Sequence, residues 1–586
     1  TNMLSLAVFL PIVCGLAMFA CRGMTHRARQ VLTEGMTLVT SLLVLFCLMN
    51  KRGVAYTPLY LLPKLPISFC IDGVGSVFAA IVAFLWPLAT LYGFEYMEHE
   101  GGENHFFALY TMTYGVTLGI ATAANVLTLY LFYEFLTLCT LPLVMHGTSK
   151  ASVRAGYTYM MYSFFGAALA FVGVMLIIGF GDGGAFVMGG VMSEAAAEHP
   201  LMVQIGYLCA FLGFGVKAAV FPFHVWLPEA SVAPTPVTAL LHAVAVVKSG
   251  VFAIIRVTYF SFGAQVMRGT TAQAIALLLA SATIVYGSTM AVKEHHFKRR
   301  LAYSTVSNLS YILLAACLMT QSGLTAALAH MLFHALIKIT LFFCAGAVLV
   351  KTERTQIEDL RGLAQVMPFT CATYTIGAIS LMGTPLLPGF VSKWLIGSAA
   401  IETGTTLGMI GVAALLISAV LTTLLTLIFL NLCGFVIVLP NQPANWFSTM
   451  LGEGLNMLQN TPIGFTLLLV LFLLAGVAMF YLHTYLSCAI GGFFPQQRKL
   501  ASIITFFILQ FVAQVLFLLV VSFAFSHMES LVDALGRFAI DILNSTDGEW
   551  KIFYGSLTGV VVIEVLIDAV LWFITRTILV KSLNLP

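Results

Sequence analysis

GLTAALAHMLFHALIKITLFFCAGAVLV, running from Gly323 to Val350, sets how the rest of the chain is read. As a helix rising about 1.5 Å per residue it is long enough to cross the roughly 30 Å hydrocarbon core of a bilayer. It nevertheless carries His330, His334 and Lys338, each four residues after the last. At about 100° per residue the three fall within one sector of about 80°, and each step rises about 6 Å. A lone histidine in a span is usually a packing residue. Three titratable groups on one stripe form a ladder, along which a proton can be handed through intervening water, and imidazole titrates near neutrality. A pair of histidines at this spacing can also hold a metal, but no convergent carboxylate or cysteine accompanies them, so no metal is expected.

The same apolar solvent is implied outward from this stretch. Of 586 residues 60% are hydrophobic and 9% charged, against about 25% charged in soluble domains. Runs long enough to span number about sixteen: Met3–Cys21, Gln30–Met49, Gly73–Met97, His105–Ala124, Val126–His146, Ala155–Phe180, Leu201–Phe223, Pro236–Phe260, Ala272–Val292, Leu301–Thr320, Gly323–Val350, Pro368–Gly383 resuming at Gly389–Ile401, Gly408–Leu439, Pro462–Leu486, Ser502–Phe525 and Phe553–Leu579. The expected fold is all-α and polytopic. Met3–Cys21 lacks a basic leader and is read as the first span rather than a signal peptide. Between the last two spans, apolar residues from Met528 to Leu543 recur opposite Glu529, Asp533 and Asp541, as in a short amphipathic interfacial helix.

A net charge of +3 offers no basic patch for nucleic acid, so the lipid bilayer is the expected environment and nucleic acid is not an expected partner. The eleven cysteines lie scattered in apolar runs without a C-x-x-C pair, which reads as packing rather than metal or iron–sulfur ligation. Sorted by alternate loops, Lys and Arg divide fourteen to eight in favour of an external N-terminus. Five of the 27 remain within spans: Lys217, Lys248, Arg256, Lys338 and Lys393.

Such residues carry the functional information, because a charge at mid-bilayer costs at least about 2.5–3.5 kcal/mol. Glu134 sits in VLTLYLFYEFLTLCTLPLV with at least eight uncharged residues on either side. Lys217, in AFLGFGVKAAVFPFHVWLPEA, is followed at i+5 by Pro222; a proline-broken span is one way in which transporters build ion sites. TPLLPGF repeats the device, with Pro385 and Pro388 ahead of Lys393. FPFHVWL (Phe221–Leu227) and LPGFVSKWL (Leu387–Leu395) share a Pro, an aromatic and a Trp-Leu, a weak sign of internal repetition. The plain alternatives are a packing ion pair for Glu134 and a snorkelling lysine at 217.

Together KAAVFPFHVWLPEASVAPTPVTALLHAVAVVKSGVFAIIRV, KRRLAYSTVSNLSYI, AHMLFHALIKITLFFCAGAV and GTPLLPGFVSKWLI resemble the proton-conducting, antiporter-like subunits shared by respiratory complex I, energy-converting membrane-bound hydrogenases and Mrp-type cation/proton antiporters. The likeness runs from about Ile67, through ISFCIDG, to about Asn431. It implies a fourteen-helix core with two inverted five-helix repeats, each with a broken helix. The implied division is 1–104 N-terminal helices, 105–262 first repeat, 263–440 second repeat, and 441–586 a C-terminal extension.

Carried over by resemblance, Glu134 is the acidic residue of the fifth helix and Lys217 its partner on the broken seventh. Lys248, with His242, relays toward the centre; Lys338, with His330 and His334, is the central relay; and Lys393 ends the second half-channel. The implied activity is proton or Na⁺ translocation within a redox-driven complex in a bacterial or archaeal inner membrane. The partners would be other antiporter-like subunits and a peripheral redox arm holding iron–sulfur clusters or other redox centres. This chain has no haem, flavin or iron–sulfur signature, so no cofactor is expected in it. His242 with Lys248 looks most like the largest subunit of Mrp antiporters, for which the chain is short. Sixteen spans resemble the distal subunit of complex I, whose long lateral helix is here reduced to His527–Lys551. Two alternatives therefore stand: a subunit of a Mrp-type Na⁺/H⁺ antiporter, or the membrane coupling subunit of an inorganic-carbon uptake system.

Overall fold

A computed structural model describes residues 2–433 apart from 22–23, 51–52, 63–64, 148, 182–183 and 385–386. The three last spans expected from sequence, the amphipathic segment and Pro385 lie outside the described residues. Within them the chain is almost entirely helical, and ten helical stretches are long and apolar enough to cross a membrane.

The order is α1 (Asn2–Ala20), α2 (His26–Asn50), β1 (Tyr56–Leu62), β2 (Leu65–Phe69), α3 (Gly73–Glu100), α4 (Glu103–Ala121), α5 (Val126–Val144), α6 (Lys150–Phe180), α7 (Glu194–Glu198) and α8 (Pro200–Lys217). Then follow α9 (Trp226–Glu229), α10 (Thr235–Ala239), α11 (Val246–Arg256), α12 (Ala264–Met267), α13 (Thr271–Lys293), α14 (Phe297–Cys317), α15 (Gln321–Thr352), α16 (Leu363–Val366), α17 (Pro368–Met382), α18 (Pro388–Glu402) and α19 (Thr406–Cys433). Several spans start where the local chemistry demands it. Asp72, Asn125, Ser149, Thr270 and Thr320 each accept a hydrogen bond from a backbone N–H in the first turn of α3, α5, α6, α13 and α15, satisfying a donor the helix leaves free.

Small residues let the helices approach closely. α6 and α8 meet at Gly213, where a Cβ would stand 2.2 Å from the backbone N of Ala170, so no larger residue fits without separating the pair. Two departures from the sequence expectation have physical causes. The connection Asn50–Asp72 contains an antiparallel hairpin, with Tyr56 opposite Phe69 and Leu59 opposite Ile67. Its buried Phe69 packs edge-on against Phe132, at 5.5 Å between centroids. The span read as Pro236–Phe260 is not a uniform α-helix: π-turns at Leu240–Val244 and Val257–Phe262 flank α11. This stretch is wholly buried, so its rotation is set by neighbours on every side.

Candidate functional site

Lys217 is the last residue of α8, almost fully buried. The helix ends because Ala219 takes a left-handed conformation (φ +57°) just ahead of Pro222, whose ring cannot continue it. The Val216 carbonyl at the break accepts the Ala219 N–H at 3.1 Å and also the indole N–H of Trp226 at 2.8 Å. The Lys217 ammonium donates to the Tyr133 carbonyl and lies 3.3 Å from the centre of the Tyr133 ring. Its Nζ is 4.0 Å from Oε1 of Glu134, a buried oxygen with no hydrogen-bond partner among the described residues. Tyr133 ties the site together, since its hydroxyl donates to the Phe214 carbonyl of α8 at 3.0 Å. The pair named from sequence is therefore adjacent, but as a loose ion pair buttressed by a tyrosine that sequence reasoning did not single out.

His242 and Lys248 are six residues apart, which on a regular α-helix places them about 240° apart. With a π-turn between them, both reach α15. His242 packs on Phe342 at 4.7 Å, and Lys248 Nζ lies 2.5 Å from His334 Nδ1. His242 Nδ1 donates to the Thr238 carbonyl at 2.7 Å, which fixes its proton there and leaves Nε2 as an acceptor. The stripe His330, His334, Lys338 does share one face of α15, with the two imidazoles 5.9 Å apart. The three side chains nonetheless turn to different neighbours. His330 pairs with Ser392 Oγ at 2.8 Å, His334 with Lys248, and Lys338 donates to the Leu301 carbonyl and Ser304 Oγ at 3.0 and 2.7 Å. The Nε2 atoms of His242, His330 and His334 are buried without a hydrogen-bond partner among the described residues.

Lys393, in the second turn of α18, donates to the carbonyls of Leu381 and Met382 at 2.6 and 3.2 Å, the last acceptors of α17. It thus occupies the break itself, satisfying carbonyls that an interrupted helix leaves free. Lys393 also stands 5.3 Å from the Tyr311 ring, which meets His330 at 5.3 Å. The ammonium group of Lys338 lies within electrostatic reach of both Lys248 and Lys393. Among the described residues no hydrogen bond joins Lys217 to Lys248, so the Glu134–Lys217 pair is a separate station from this cluster. No group of three His, Cys, Asp or Glu side chains is placed to hold a metal among the described residues.

Three polar features were missed in the sequence. Arg256, noted there only as a charge in a span, is clamped in two-pronged fashion by Asp72, with one bond of 2.7 Å, and is ringed by Phe186, Phe252 and Phe260. Lys298, assigned to a loop, is a buried residue at the start of α14 that donates to the Ala233 carbonyl at 2.9 Å. Its flanking Phe297, Leu301 and Ala302 carried the available signal. Finally, Tyr311 OH donates to Ser418 Oγ at 2.7 Å, and Ser418 meets Ser288 and Ser307 across three helices.

Residues 123–422 match the family described as NADH:quinone oxidoreductase/Mrp antiporter, TM. The chain belongs to this family. Members similar to it include the N subunit of the NADH-quinone oxidoreductase of Desulforudis audaxviator (strain MP104C), 32% identical over 61% of this chain and 71% of that one. The probable A/B component of a K⁺/H⁺ antiporter of Rhizobium meliloti (strain 1021) is 33% identical over 60% of this chain and 35% of its own length. Chain 5 of the NAD(P)H-quinone oxidoreductase of Synechocystis sp. (strain ATCC 27184 / PCC 6803 / Kazusa) is 30% identical over 59% and 52%. Against the latter two, then, the chain spans between a third and about half of the relative's length. The antiporter family fold is also seen in two solved assemblies, each with a TM-score of 0.65 over 74% of this chain. These are the archaeal membrane-bound sulfane sulfur reductase, 24% identical over 88% of the matched chain, and the Mrp complex from Dietzia sp. DQ12-45-1b, 23% identical over 79%. The resemblance read from the motifs is thereby confirmed.

Proposed function

We propose that this chain moves protons, or Na⁺, across the membrane as the translocating subunit of a redox-driven complex. Glu134, Lys217, Lys248, Lys338 and Lys393 are its stations, and His242, His330 and His334 are auxiliary relays. One observation carries the reading: the buried His242, Lys248, His330, His334 and Lys338 and the half-buried Lys393 converge from α11 and the π-turn before it, α15 and α18, with imidazole Nε2 atoms that have no hydrogen-bond partner among the described residues. Burying several cations beside one another is costly unless water or proton exchange relieves it, and unpaired buried polar atoms are where ordered water binds.

The chemistry follows from the geometry. Bringing Glu134 toward Lys217 favours the ammonium, and drawing it away favours release of its proton. The 2.5 Å contact of Lys248 with His334 lets one proton be shared between two bases. Lys338 lies within electrostatic reach of both Lys248 and Lys393, so charging it disfavours charge on either neighbour. The energy source resides in partner subunits: further antiporter-like subunits and a peripheral arm with iron–sulfur or other redox centres. The proposal includes two inverted repeats, 105–262 and 263–440, in a fourteen-helix core with a C-terminal extension, and an external N-terminus in a bacterial or archaeal inner membrane.

The test is Lys338→Ala in the native assembly reconstituted in vesicles. Driven ion uptake should be lost with subunit composition unchanged, whereas uptake at the unmodified rate rejects the relay. A second reading, membership of a Mrp-type Na⁺/H⁺ antiporter, is favoured by the similarity to the K⁺/H⁺ antiporter component and to the Mrp complex. It requires exchange driven by an imposed ion gradient with no electron donor present.

A further inference from the structure

On α3, Tyr92, Tyr96 and Glu100 follow one another at four-residue spacing, so they share one stripe leading from the interior to the end of the helix. Tyr92 donates to the Phe343 carbonyl of α15 at 3.2 Å. The buried Tyr96 hydroxyl is met by Thr235 Oγ1 at 3.2 Å, while Glu100 is exposed. Lys298 Nζ and the Thr238 hydroxyl both donate to the Ala233 carbonyl, at 2.9 and 3.0 Å, and the Thr238 carbonyl accepts from His242 Nδ1 at 2.7 Å. Lys298 lies within electrostatic reach of Glu100 on one side and of His242 on the other. One and two turns further along α14, Leu301 and Ser304 hold Lys338. The segment Trp226–Val232 packs against α14 and contributes Glu229 Oε2 and Ser231 Oγ, both buried without a partner among the described residues.

Resting on the translocation reading above, we propose that Glu100, Tyr96, Thr235 and Lys298 form the mouth through which protons pass between bulk water and the His242–Lys338 centre. Every link has a proton to take and one to give. The Glu100 carboxylate takes a proton from water at the surface. The Tyr96 and Thr235 hydroxyls each accept one proton as they release another, so neither ionises. The Lys298 amine accepts and returns the proton while a backbone carbonyl holds it in place. His242 takes it on Nε2, keeping its own on Nδ1, and passes it to the Lys338 amine. The mouth opens on the side where α14 begins, beside the partly exposed Arg299 and the segment that holds Arg354.

Glu100→Gln and Lys298→Met, each in the native assembly reconstituted in vesicles of one orientation, test this. Lys298→Met should slow driven uptake by about 100-fold, in the range of a lost proton-transfer group, and Glu100→Gln by several-fold. Imidazole buffer or formate supplied on the Arg299 face, and not on the opposite face, should restore much of the Glu100→Gln rate. A purely structural role gives no sided rescue, so slowing that neither face relieves overturns the mouth. If Lys298→Met does not assemble, the sided rescue of Glu100→Gln decides alone. Unmodified rates in both variants, with Lys338→Ala inactive, place the mouth elsewhere; unmodified rates in Lys338→Ala as well reject the relay itself.

Discussion

Glu134 and Lys217 show how little separates a working pair from a packing pair at the level of the residue. Their atoms stand 4.0 Å apart, too far for a hydrogen bond, while the ammonium keeps the Tyr133 carbonyl as its bonded acceptor. Glu134→Gln preserves volume and leaves Lys217 its backbone partner, so we expect assembly to persist and driven translocation to fall at least about tenfold, equivalent to about 1.4 kcal/mol in the barrier. Lys217→Ala should do the same, and absence of either variant from the membrane fraction would return the pair to a packing role. For the histidines the contacts rank the outcomes. His334 meets the Lys248 amine directly, whereas His330 meets a serine, so His334→Gln should slow translocation more than His330→Gln. A double variant with the unmodified rate, measured as initial uptake, removes both from the relay.

Helix breaks, π-turns and caps position these residues at the next scale up. α8 and α17 each end ahead of a proline, and at each break a side chain takes a carbonyl: the buried Trp226 at Val216, the half-buried Lys393 at Leu381. Asp72 does double duty, capping α3 through Gly75 N–H and clamping Arg256 at the end of α11. Burial alone would push the Asp72 carboxyl up, but the hydrogen bond and charge of Arg256 hold it below the usual carboxylate range. Because the folded value is the lower one, the clamp stabilises fully above the ordinary carboxylate range and is lost as pH falls through the depressed value. Asp72→Asn leaves a buried guanidinium without its anion, and we expect destabilisation of about 3 kcal/mol, the low end for a broken buried pair since Asp72 is partly exposed. Thermal unfolding in detergent across pH should show the variant's deficit shrinking in acid; a constant deficit would assign the loss to the cap alone.

For the whole molecule, the proposed function carries an expectation about company: the native assembly should contain further antiporter-like membrane subunits and a peripheral arm. Mass spectrometry of the purified assembly, with iron quantified, checks it; small antiporter subunits without redox protein would instead favour the gradient-driven reading. Hydropathy and the four-residue stripe of α15 are local properties, so sequence alone determined that the chain is built of apolar membrane helices and which stretches carry Glu134, Lys217, Lys248, Lys338 and Lys393. It could not say what each charge touches. Lys248 reaches His334 across 86 positions and Arg256 reaches Asp72 across 184, contacts set by how closely small residues let helices approach and by π-turns that rotate one buried span. Lys298 shows the same limit: its charge reads as a loop residue, and only the packing of α14 against the segment ending at Ala233 buries it. Period and polarity are written along the chain, whereas rotation, depth and partner are decided only when helices distant in sequence pack together.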